Sequence, residues 1–226
     1  MSTVAFKEER ADPPARVKLV VYRALDLLIG VVALLLCAPL LLIVCVLIRL
    51  DSEGPAIFRQ SRLGLGRRAF TVHKFRTMRL LCDEQVHRAY VRQLIDGEER
   101  THAGHDGRDL YKLAADDRVT RVGRFLRTTS LDELPQLFDV LRGHMSLVGP
   151  RPVIPYEAEL YPPEYESRFI VKPGITGLWQ VNGRNERSYR EMVELDIAWA
   201  REHSIGMYLS IILRTPIVLL ARRGVA

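Results

Sequence analysis

The sequence predicts an α+β fold that is predominantly helical and attached to one face of a membrane. Three observations support this prediction: a long uncharged segment near the start, two short strand-like pieces after it, and helical spacing of apolar residues in much of the remainder. The expected architecture is a monotopic membrane protein with an N-terminal re-entrant helical hairpin, a small β-hairpin and interfacial amphipathic helices. A length of 226 residues suits one globular domain together with an anchor.

The predicted anchor is the segment 27–48, which contains 22 residues without a charge or a side-chain amide. About 20 apolar residues are enough to span a bilayer. A signal peptide is disfavoured, because its apolar region is usually about 7–15 residues long and a small-residue cleavage site follows it. A core helix of a soluble domain is the alternative, but helices that are apolar on every side are rare outside membranes. The segment therefore predicts membrane insertion.

Pro39 lies near the middle of this segment and predicts a bend, because proline removes one backbone donor and kinks or breaks a helix. Positive charge prefers the cytoplasmic side, and basic residues stand on both flanks of the segment. A helix that bends at Ala38-Pro39 and returns keeps both flanks on one face, so the sequence favours re-entry over crossing. The flanking cations are Arg16, Lys18 and Arg23 before the segment, and Arg49, Arg59, Arg62, Arg67 and Arg68 after it.

The formal net charge of +6 is concentrated in the first third of the chain. The surplus is +2 in residues 1–50, +5 in residues 51–79 and −1 in residues 80–226. A basic protein often binds nucleic acid. Here the positive charge surrounds an apolar segment, so anionic membrane lipid is the expected partner and nucleic acid is not. The three cysteines have no metal-ligand spacing and are expected to be reduced, which suits a domain facing the cytoplasm.

The rest of the chain is predicted to contain short strands, helices and loops. Glycine-containing turn signals bound two strand-like pieces, 56–59 and Ala69–Phe75. Apolar spacing predicts a helix over 80–97, and the polar segment 98–107 predicts an exposed loop. The apolar segment 204–223 predicts either a core helix or a helix lying in the membrane interface.

Two adjacent carboxylates, Asp132 and Glu133, stand at the start of a helical pattern. Ser130 and Glu133 match a capping box, and an acidic pair at a helix start usually serves only capping and the helix dipole. Here, however, the surrounding motifs contain cations and glycine-rich turns. Basic groups neutralise phosphate oxygens, a carboxylate holds a divalent ion, and a second carboxylate can attack phosphorus. The pair and its surroundings therefore indicate a phosphate-handling, metal-dependent reaction.

Five motifs in this order resemble the bacterial sugar transferases, the monotopic phosphoglycosyl transferases that load a polyprenyl phosphate with a sugar phosphate. The resemblance runs from about residue 20 to about residue 220. Each motif is weak alone, whereas the ordered set is highly specific. The motifs are the proline-broken apolar helix, GPAIFRQSRLGLGRRAF, KFRTM, RVTRVGRFLRTTSLDELPQLFDVLRGHMSLVGPRP and VKPGITGLWQVNGRN.

The resemblance implies roles for individual residues. Asp132 would be the nucleophile that attacks the sugar-linked phosphate of a nucleotide sugar. Glu133 would act with it through a Mg²⁺ ion or as proton acceptor for the lipid phosphate, and both carboxylates are candidate ligands of that ion. Lys74, Arg127 and Arg151 match positions that grip phosphates, with Arg76 as a fourth. The substrate site would also include Pro150, Pro152, Gln180, Asn182 and Arg184.

The implied reaction transfers a sugar 1-phosphate from a UDP-sugar to polyprenyl (undecaprenyl) phosphate. It releases UMP, passes through a covalent aspartyl intermediate and starts the assembly of an exopolysaccharide, O-antigen or glycoprotein glycan. The implied location is the bacterial inner membrane, with the active site on the cytoplasmic face. A homodimer and downstream glycosyltransferases are further expected partners. The alternative is a non-catalytic, membrane-anchored scaffold that binds anionic lipid and partner proteins through its basic residues.

The implied division of the chain has three parts. Residues 1–18 form a cytoplasmic tail, 19–50 the re-entrant helix, and 51–226 a catalytic domain that ends in an interfacial helix. Larger members carry an additional N-terminal block of membrane spans, so this chain is expected to be the catalytic unit alone. Tyr208 departs from the pattern, because the resemblance predicts an acidic residue there. This departure concerns the packing of a helix rather than the chemistry.

Overall fold

The computed structural model describes residues 16–79 and 118–221, together with the short pieces 92–93, 95, 102–103 and 109–110. The predicted tail before residue 16, and most of the helix and loop expected between 80 and 107, lie outside the described residues.

The first helix, α1 (Arg16–Asp51), contains 36 residues and includes the whole predicted anchor. Its buried positions recur every three or four residues along one face, as an α-helix that packs on a domain requires. The remaining faces are apolar and exposed. Among the described residues, α1 is the one helix long and apolar enough to cross a bilayer by length and composition.

Helix α1 continues through Pro39, so the structure differs from the break predicted at Ala38-Pro39. Proline costs one backbone hydrogen bond. The leucine-rich turns on both sides retain the helical conformation because the other donors and acceptors of α1 remain available to pair within the helix. The re-entrant hairpin and the monotopic topology stay predictions.

Strands β1 (Ile57–Leu63) and β2 (Ala69–Phe75) form the predicted antiparallel β-hairpin, with a register from Ile57 opposite Phe75 to Leu63 opposite Ala69. The turn between them contains a short 3₁₀ segment, Leu65–Arg67, in which Gly66 has a φ of 61°. Glycine adopts this left-handed conformation without a steric penalty. The second strand was predicted with its observed bounds, and the first extends beyond its predicted end.

The other strands are short. Strands β3 (His102–Ala103) and β4 (Asp109–Leu110) form an antiparallel pair, and β5 (Ser146–Val148) pairs in parallel with β6 (Gly174–Thr176). A Cβ atom on Gly174 would lie 2.1 Å from the backbone nitrogen of Gly149, so glycine permits this close approach.

The remaining described elements are mostly helical, which confirms a predominantly helical α+β fold with a small β part. The helices are α2 (Arg121–Thr129), α3 (Gln136–Leu141), α4 (Pro155–Ala158), α5 (Leu178–Val181), α6 (Tyr189–Glu202) and α7 (Ile205–Leu220). Three 3₁₀ segments, Leu131–Glu133, Pro163–Ile170 and Arg184–Glu186, connect them.

Helix α1 contributes to two hydrophobic clusters. Tyr22, in its first half, is buried in the main cluster with Val140, Met145, Trp199 and Tyr208. The second half places Val44 and Ile48 in a smaller cluster with Ala56, Phe75 and Leu126. Helix α1 therefore also packs against the domain core along most of its length.

Helix α7 has one buried face and one exposed apolar face. Tyr208 and Ile211 are buried, whereas Leu213, Ile217 and Leu220 are exposed. The buried face shows that this helix packs on the core, whereas its location in a membrane interface stays a prediction.

Three of the cations predicted to flank the membrane segment have partners within the domain. The Arg23 guanidinium donates to the carbonyl oxygens of Val140 and Leu141. Arg62 is buried, and Arg67 forms an ion pair with Glu166. The positive charge around α1 is therefore partly structural, because these groups satisfy backbone carbonyls and a carboxylate inside the fold.

Candidate active site

The adjacent carboxylates Asp132 and Glu133, called the carboxylate pair below, lie in the 3₁₀ turn between α2 and α3. Ser130 turns the chain into this segment with a left-handed φ of 58°. The expected capping box at this position is wrong, because the Ser130 side chain caps no backbone amide there and instead accepts a hydrogen bond from Arg184 Nη2 at 2.8 Å. A tight turn rather than a regular helix start presents both carboxylates.

Lys74 contacts the carboxylate pair directly. Its Nζ atom lies 2.7 Å from Oε1 of Glu133 and donates a hydrogen bond to it. Strand β2 fixes this position, since the next residue, Phe75, is buried in the smaller hydrophobic cluster. Successive side chains of a strand point to opposite faces. Burial of Phe75 therefore directs Lys74 towards the opposite face, where it meets Glu133.

Two more cations approach the carboxylate pair from different elements. Arg127, at the end of α2, donates from Nε to Oγ1 of Thr77 at 2.9 Å. Arg184 reaches Ser130, the residue that opens the turn. The hydroxyl of Thr77, just after β2, and the hydroxyl of Ser130 therefore hold these two guanidinium groups beside the carboxylate pair.

The charges around the carboxylate pair change the pKa values of its two members in opposite directions. Burial and the neighbouring Glu133 carboxylate raise the pKa of Asp132 to about 6, against the attraction of Lys74 and Arg127. Burial also disfavours the charged form of Glu133. The positive charges of Lys74, Arg151 and Arg184 outweigh burial and hold the pKa of Glu133 below its usual range. Asp132 is thus the more basic carboxylate, a property that suits a nucleophile.

The backbone of Arg151 is held from both sides by a buried ion pair. Its N–H donates to Oδ2 of Asp196 at 3.3 Å, and its carbonyl accepts from Nη2 of Arg168 at 3.3 Å. Arg168 and Asp196 bind each other and are 5% and 1% exposed. The side chain of Arg151 is exposed, so this network orients the segment from which it projects.

Some residues predicted to bind substrate have other partners. Arg76 is buried and donates to the carbonyl oxygens of Ser52 and Glu53, just after α1. Asn182 donates to Leu178 and accepts from Arg214 at 2.9 Å, which joins α5 to α7. These two side chains therefore have structural contacts that sequence reasoning missed.

The other predicted residues lie in the segments that enclose Arg151. Pro150 and Pro152 follow β5, and their carbonyl oxygens accept from Gly174 N and Arg62 Nη1. Gln180 lies in α5, and its buried Oε1 atom has no partner among the described residues. The structure thus brings Lys74 and three arginines, Arg127, Arg151 and Arg184, together with the carboxylate pair. Pro150, Pro152 and Gln180 lie in the segments around this group.

Sequence reasoning also missed residues that support the site. The guanidinium of Arg62 donates to Pro152 O at 3.0 Å, and burial lowers its pKa to about 10. Arg62 was assigned to the basic flank of the anchor, but it is buried in the domain. The alternation of β1 does not signal this burial, because Phe58, which lies on the same face, is 47% exposed. No local signal marks Arg168 or Asp196 either, because their contact joins residues 28 positions apart.

The carboxylate pair has the donor chemistry of a magnesium site. Mg²⁺ is usually bound by one or two carboxylates together with substrate phosphates and water. Asp132 and Glu133 supply two such groups and are partly exposed. Among the described residues, no group of three or more His, Cys, Asp or Glu side chains is placed to enclose an ion. The residues present fit an ion shared with a phosphate substrate.

A carboxylate pair surrounded by lysine and arginine side chains, next to a long apolar helix, is the type of site found in enzymes that handle phosphate esters at a membrane. Comparison with known proteins is more specific. A family model described as bacterial sugar transferase matches residues 17–222. The chain belongs to this family.

Three relatives illustrate the similarity. The chain is 38% identical over 202 residues to the undecaprenyl-phosphate galactose phosphotransferase of Salmonella typhimurium, covering 89% of this chain and 41% of that protein. It is 41% identical over 202 residues to a UDP-glucose:undecaprenyl-phosphate glucose-1-phosphate transferase of Caulobacter vibrioides, covering 85% and 67%. It is 41% identical over 201 residues to the exopolysaccharide production protein ExoY of Rhizobium meliloti, covering 88% and 86%. The chain thus spans about two fifths of the first of these relatives and most of the last.

Proposed function

We propose that the protein transfers a hexose 1-phosphate from a UDP-sugar to polyprenyl phosphate at the cytoplasmic face of the bacterial inner membrane. The observation that carries the proposal is the carboxylate pair with Lys74 in contact and three arginines around it. Membership of the bacterial sugar transferase family supports it, as do relatives named for the same class of reaction on undecaprenyl phosphate. The product would enter exopolysaccharide or related glycan synthesis.

The proposed chemistry has two displacements at the same phosphorus atom. In the first, a carboxylate oxygen of Asp132 attacks the sugar-linked phosphorus of the UDP-sugar. The bond from that phosphorus to the bridging oxygen breaks, UMP leaves, and the sugar phosphate is held as an acyl phosphate. In the second, an oxygen of polyprenyl phosphate attacks this phosphorus. The bond to Asp132 breaks, which yields polyprenyl diphosphate-sugar and restores the carboxylate.

The cations around the carboxylate pair suit both displacements. Negative charge builds on the phosphate oxygens in each transition state, and fixed cations lower its energy. Lys74 also neutralises Glu133, which lessens the repulsion between this carboxylate and an incoming phosphate. The position of Arg151 is set by the buried ion pair beneath its backbone, so little reorganisation is required when a phosphate binds.

Magnesium would be held by Asp132 and Glu133 and, when bound, would neutralise charge on the phosphates of the nucleotide sugar. The carboxylate pair otherwise has two separate roles in the proposal. Asp132 supplies the attacking oxygen. Glu133 remains charged and orients Lys74, or accepts a proton from the lipid phosphate before the second displacement.

The test is release of UMP by the Asp132→Asn variant in membranes or detergent, with a panel of UDP-sugars. We expect loss of turnover, because the amide is a poor nucleophile, and no sugar-phosphate adduct on the variant by mass spectrometry. The matched control is Glu202→Gln at the exposed end of α6, which should retain both signals. Substantial turnover by pure Asp132→Asn would refute the nucleophile assignment.

The scaffold alternative makes the opposite prediction for the parent protein. A scaffold that only binds anionic lipid releases no UMP from any UDP-sugar, with or without polyprenyl phosphate. The basic residues around α1 are compatible with such a role, but they leave the grouping of cations around Asp132 and Glu133 without an explanation.

A further inference from the structure

A groove of about 580 Å³ lies between the end of α1 and the start of β1. Cys45 and Arg49 line it from α1, Phe58 and Arg59 line it from β1, and Arg76 lines it from the chain that follows β2. We call it the Arg76 groove. It is separate from the contacts between Lys74, the carboxylate pair and the neighbouring arginines.

Among the described residues, no acidic side chain pairs with the two exposed cations of the Arg76 groove. Arg49 and Arg59 are exposed, and neither forms an ion pair with any residue that the structure describes. Asp51, the nearby carboxylate at the end of α1, accepts a hydrogen bond from Val122 N instead. Three guanidinium groups therefore line one concavity, and no described carboxylate forms an ion pair with them, which favours an anionic ligand.

Arg76 supplies a second, independent sign of a ligand. The side chain is buried, with 4% exposure, and its terminal nitrogens donate to Ser52 O and Glu53 O. Its Nε–H group is also buried and has no acceptor among the described residues. A buried donor without a partner is unfavourable, because it has lost its hydrogen bonds to water. An anionic oxygen in the groove would satisfy this donor.

The Arg76 groove also opens beside apolar surface. Phe58 is 47% exposed within it, and Leu47 and Leu50 are exposed on the adjoining turns of α1. These leucines belong to the exposed apolar surface of the helix that is predicted to enter the membrane. Cations at one end and apolar side chains at the other match a phosphate that carries a long hydrocarbon chain.

The groove adjoins the candidate active site through the β-hairpin. Phe58 is the direct cross-strand partner of Lys74, and directly paired residues have Cβ atoms about 4.5–5.5 Å apart on the same face. Lys74 in turn contacts Glu133. Phe58 therefore connects the Arg76 groove to the face of the hairpin that carries Lys74.

We propose that the Arg76 groove binds the phosphate and the first isoprene units of the polyprenyl phosphate acceptor. This inference rests on the proposed function and assigns a subsite to its second displacement. The isoprene chain lies along Phe58 and the exposed leucines of α1, and the phosphate oxygens pair with Arg49, Arg59 and the Nε–H group of Arg76.

The test uses the double variant Arg49→Gln/Arg59→Gln, which keeps hydrogen-bonding ability and removes two exposed charges. We expect the KM for polyprenyl phosphate to rise about tenfold, because glutamine keeps a hydrogen bond to the phosphate but loses the charge that strengthens it. The burst of UMP without acceptor should be unchanged, because the first displacement does not use the groove. The matched control is Arg68→Gln, an exposed arginine in the same hairpin and outside the groove, which should leave both quantities unchanged.

A binding measurement separates failure of this inference from failure of the proposed function. Farnesyl phosphate in detergent should bind the parent protein and bind the double variant about tenfold more weakly, with farnesol and inorganic phosphate as controls. Equal binding by both proteins, or an unchanged acceptor KM, would overturn the inference.

A vesicle experiment tests ordinary lipid as the ligand. If the double variant binds vesicles of anionic phospholipid more weakly but binds farnesyl phosphate as the parent does, the groove binds ordinary lipid and the inference is overturned. Absence of UMP release from the parent protein, with farnesyl phosphate binding as expected, would refute the proposed reaction alone.

Discussion

The hydroxyl of Tyr208 lies 2.7 Å from Oδ1 of Asp26, a contact that joins the first helix to the last across 182 residues of sequence. The same carboxylate oxygen accepts from Ser146 Oγ and from Leu147 N. Asp26 is 2% exposed and lies in α1 directly before the apolar segment 27–48, so these three donors account for a buried acidic group in an unexpected position. They also explain how tyrosine fits at position 208, where the family resemblance predicted an acidic residue.

Removal of this hydroxyl should destabilise the protein. Tyr208→Phe leaves Asp26 with one donor fewer in a buried site, and we expect a loss of about 1–3 kcal/mol in the free energy of unfolding. Denaturant unfolding in detergent measures it. The matched control is Tyr22→Phe, because the buried Tyr22 hydroxyl has no hydrogen-bond partner among the described residues and packs in the same cluster. Equal losses for the two variants would show that the contact between Asp26 and Tyr208 contributes nothing specific.

The raised pKa of Asp132 predicts that this residue lowers stability at neutral pH. The pKa is about 6 in the folded protein, against 3.8 for an unperturbed carboxyl. The folded state therefore binds the proton more tightly. The destabilising effect of the charge is absent below about pH 4, grows as the pH rises between the two values, and is complete above about pH 6.

Asp132→Asn should therefore raise the unfolding midpoint at pH 8 and have little effect at pH 4. The measurement is thermal unfolding of metal-free protein in EDTA, so that no bound ion alters the charge of the carboxylate pair. Glu202→Gln serves again as the control and should show no such difference between the two pH values. An equal increase in the unfolding midpoint at pH 4 and pH 8 would show that the effect of Asp132→Asn does not come from charge.

The buried ion pair beneath Arg151 predicts an asymmetry between single and double replacements. Arg168→Met leaves the buried Asp196 charge unpaired, and loss of one partner of such a pair costs about 3–5 kcal/mol. The double variant Arg168→Met/Asp196→Leu removes both charges and should recover much of that stability. Urea unfolding in detergent compares the two.

The exposed pair of Arg190 and Glu194 on α6 provides the contrast, since Arg190→Met should leave the unfolding midpoint unchanged. If the double variant folds, it should still show a higher KM for the UDP-sugar than the parent protein, because the Arg151 backbone has lost both side-chain hydrogen bonds. A double variant as unstable as Arg168→Met would show that the buried charges do not dominate this site.

Local sequence patterns were sufficient for the elements whose contacts are themselves local. The glycine-containing turn before Ala69–Phe75 predicted β2 with its observed bounds, because a hairpin depends on its own turn and register. Lys74, which lies 59 positions from its partner Glu133, was instead implied by the family resemblance, since no local pattern encodes that contact.

The remaining features depend on contacts that no local pattern encodes. Ser130 matched a capping box, but packing places it in a left-handed turn where its hydroxyl receives Arg184. Arg76 has the same charge as Lys74 two residues earlier, but carbonyl oxygens just after α1 engage it. The partners of each side chain are set by the tertiary arrangement, and charge alone does not predict which cation contacts the carboxylate pair.

The packing of α1 against both hydrophobic clusters has a consequence for truncated versions of the protein. Tyr22 and Ile48 lie near opposite ends of α1, and each packs in a cluster whose other members include residues far along the chain. Later segments of the chain therefore complete both clusters only by packing against α1. A truncated version without α1 would expose two unfinished apolar surfaces to aggregation.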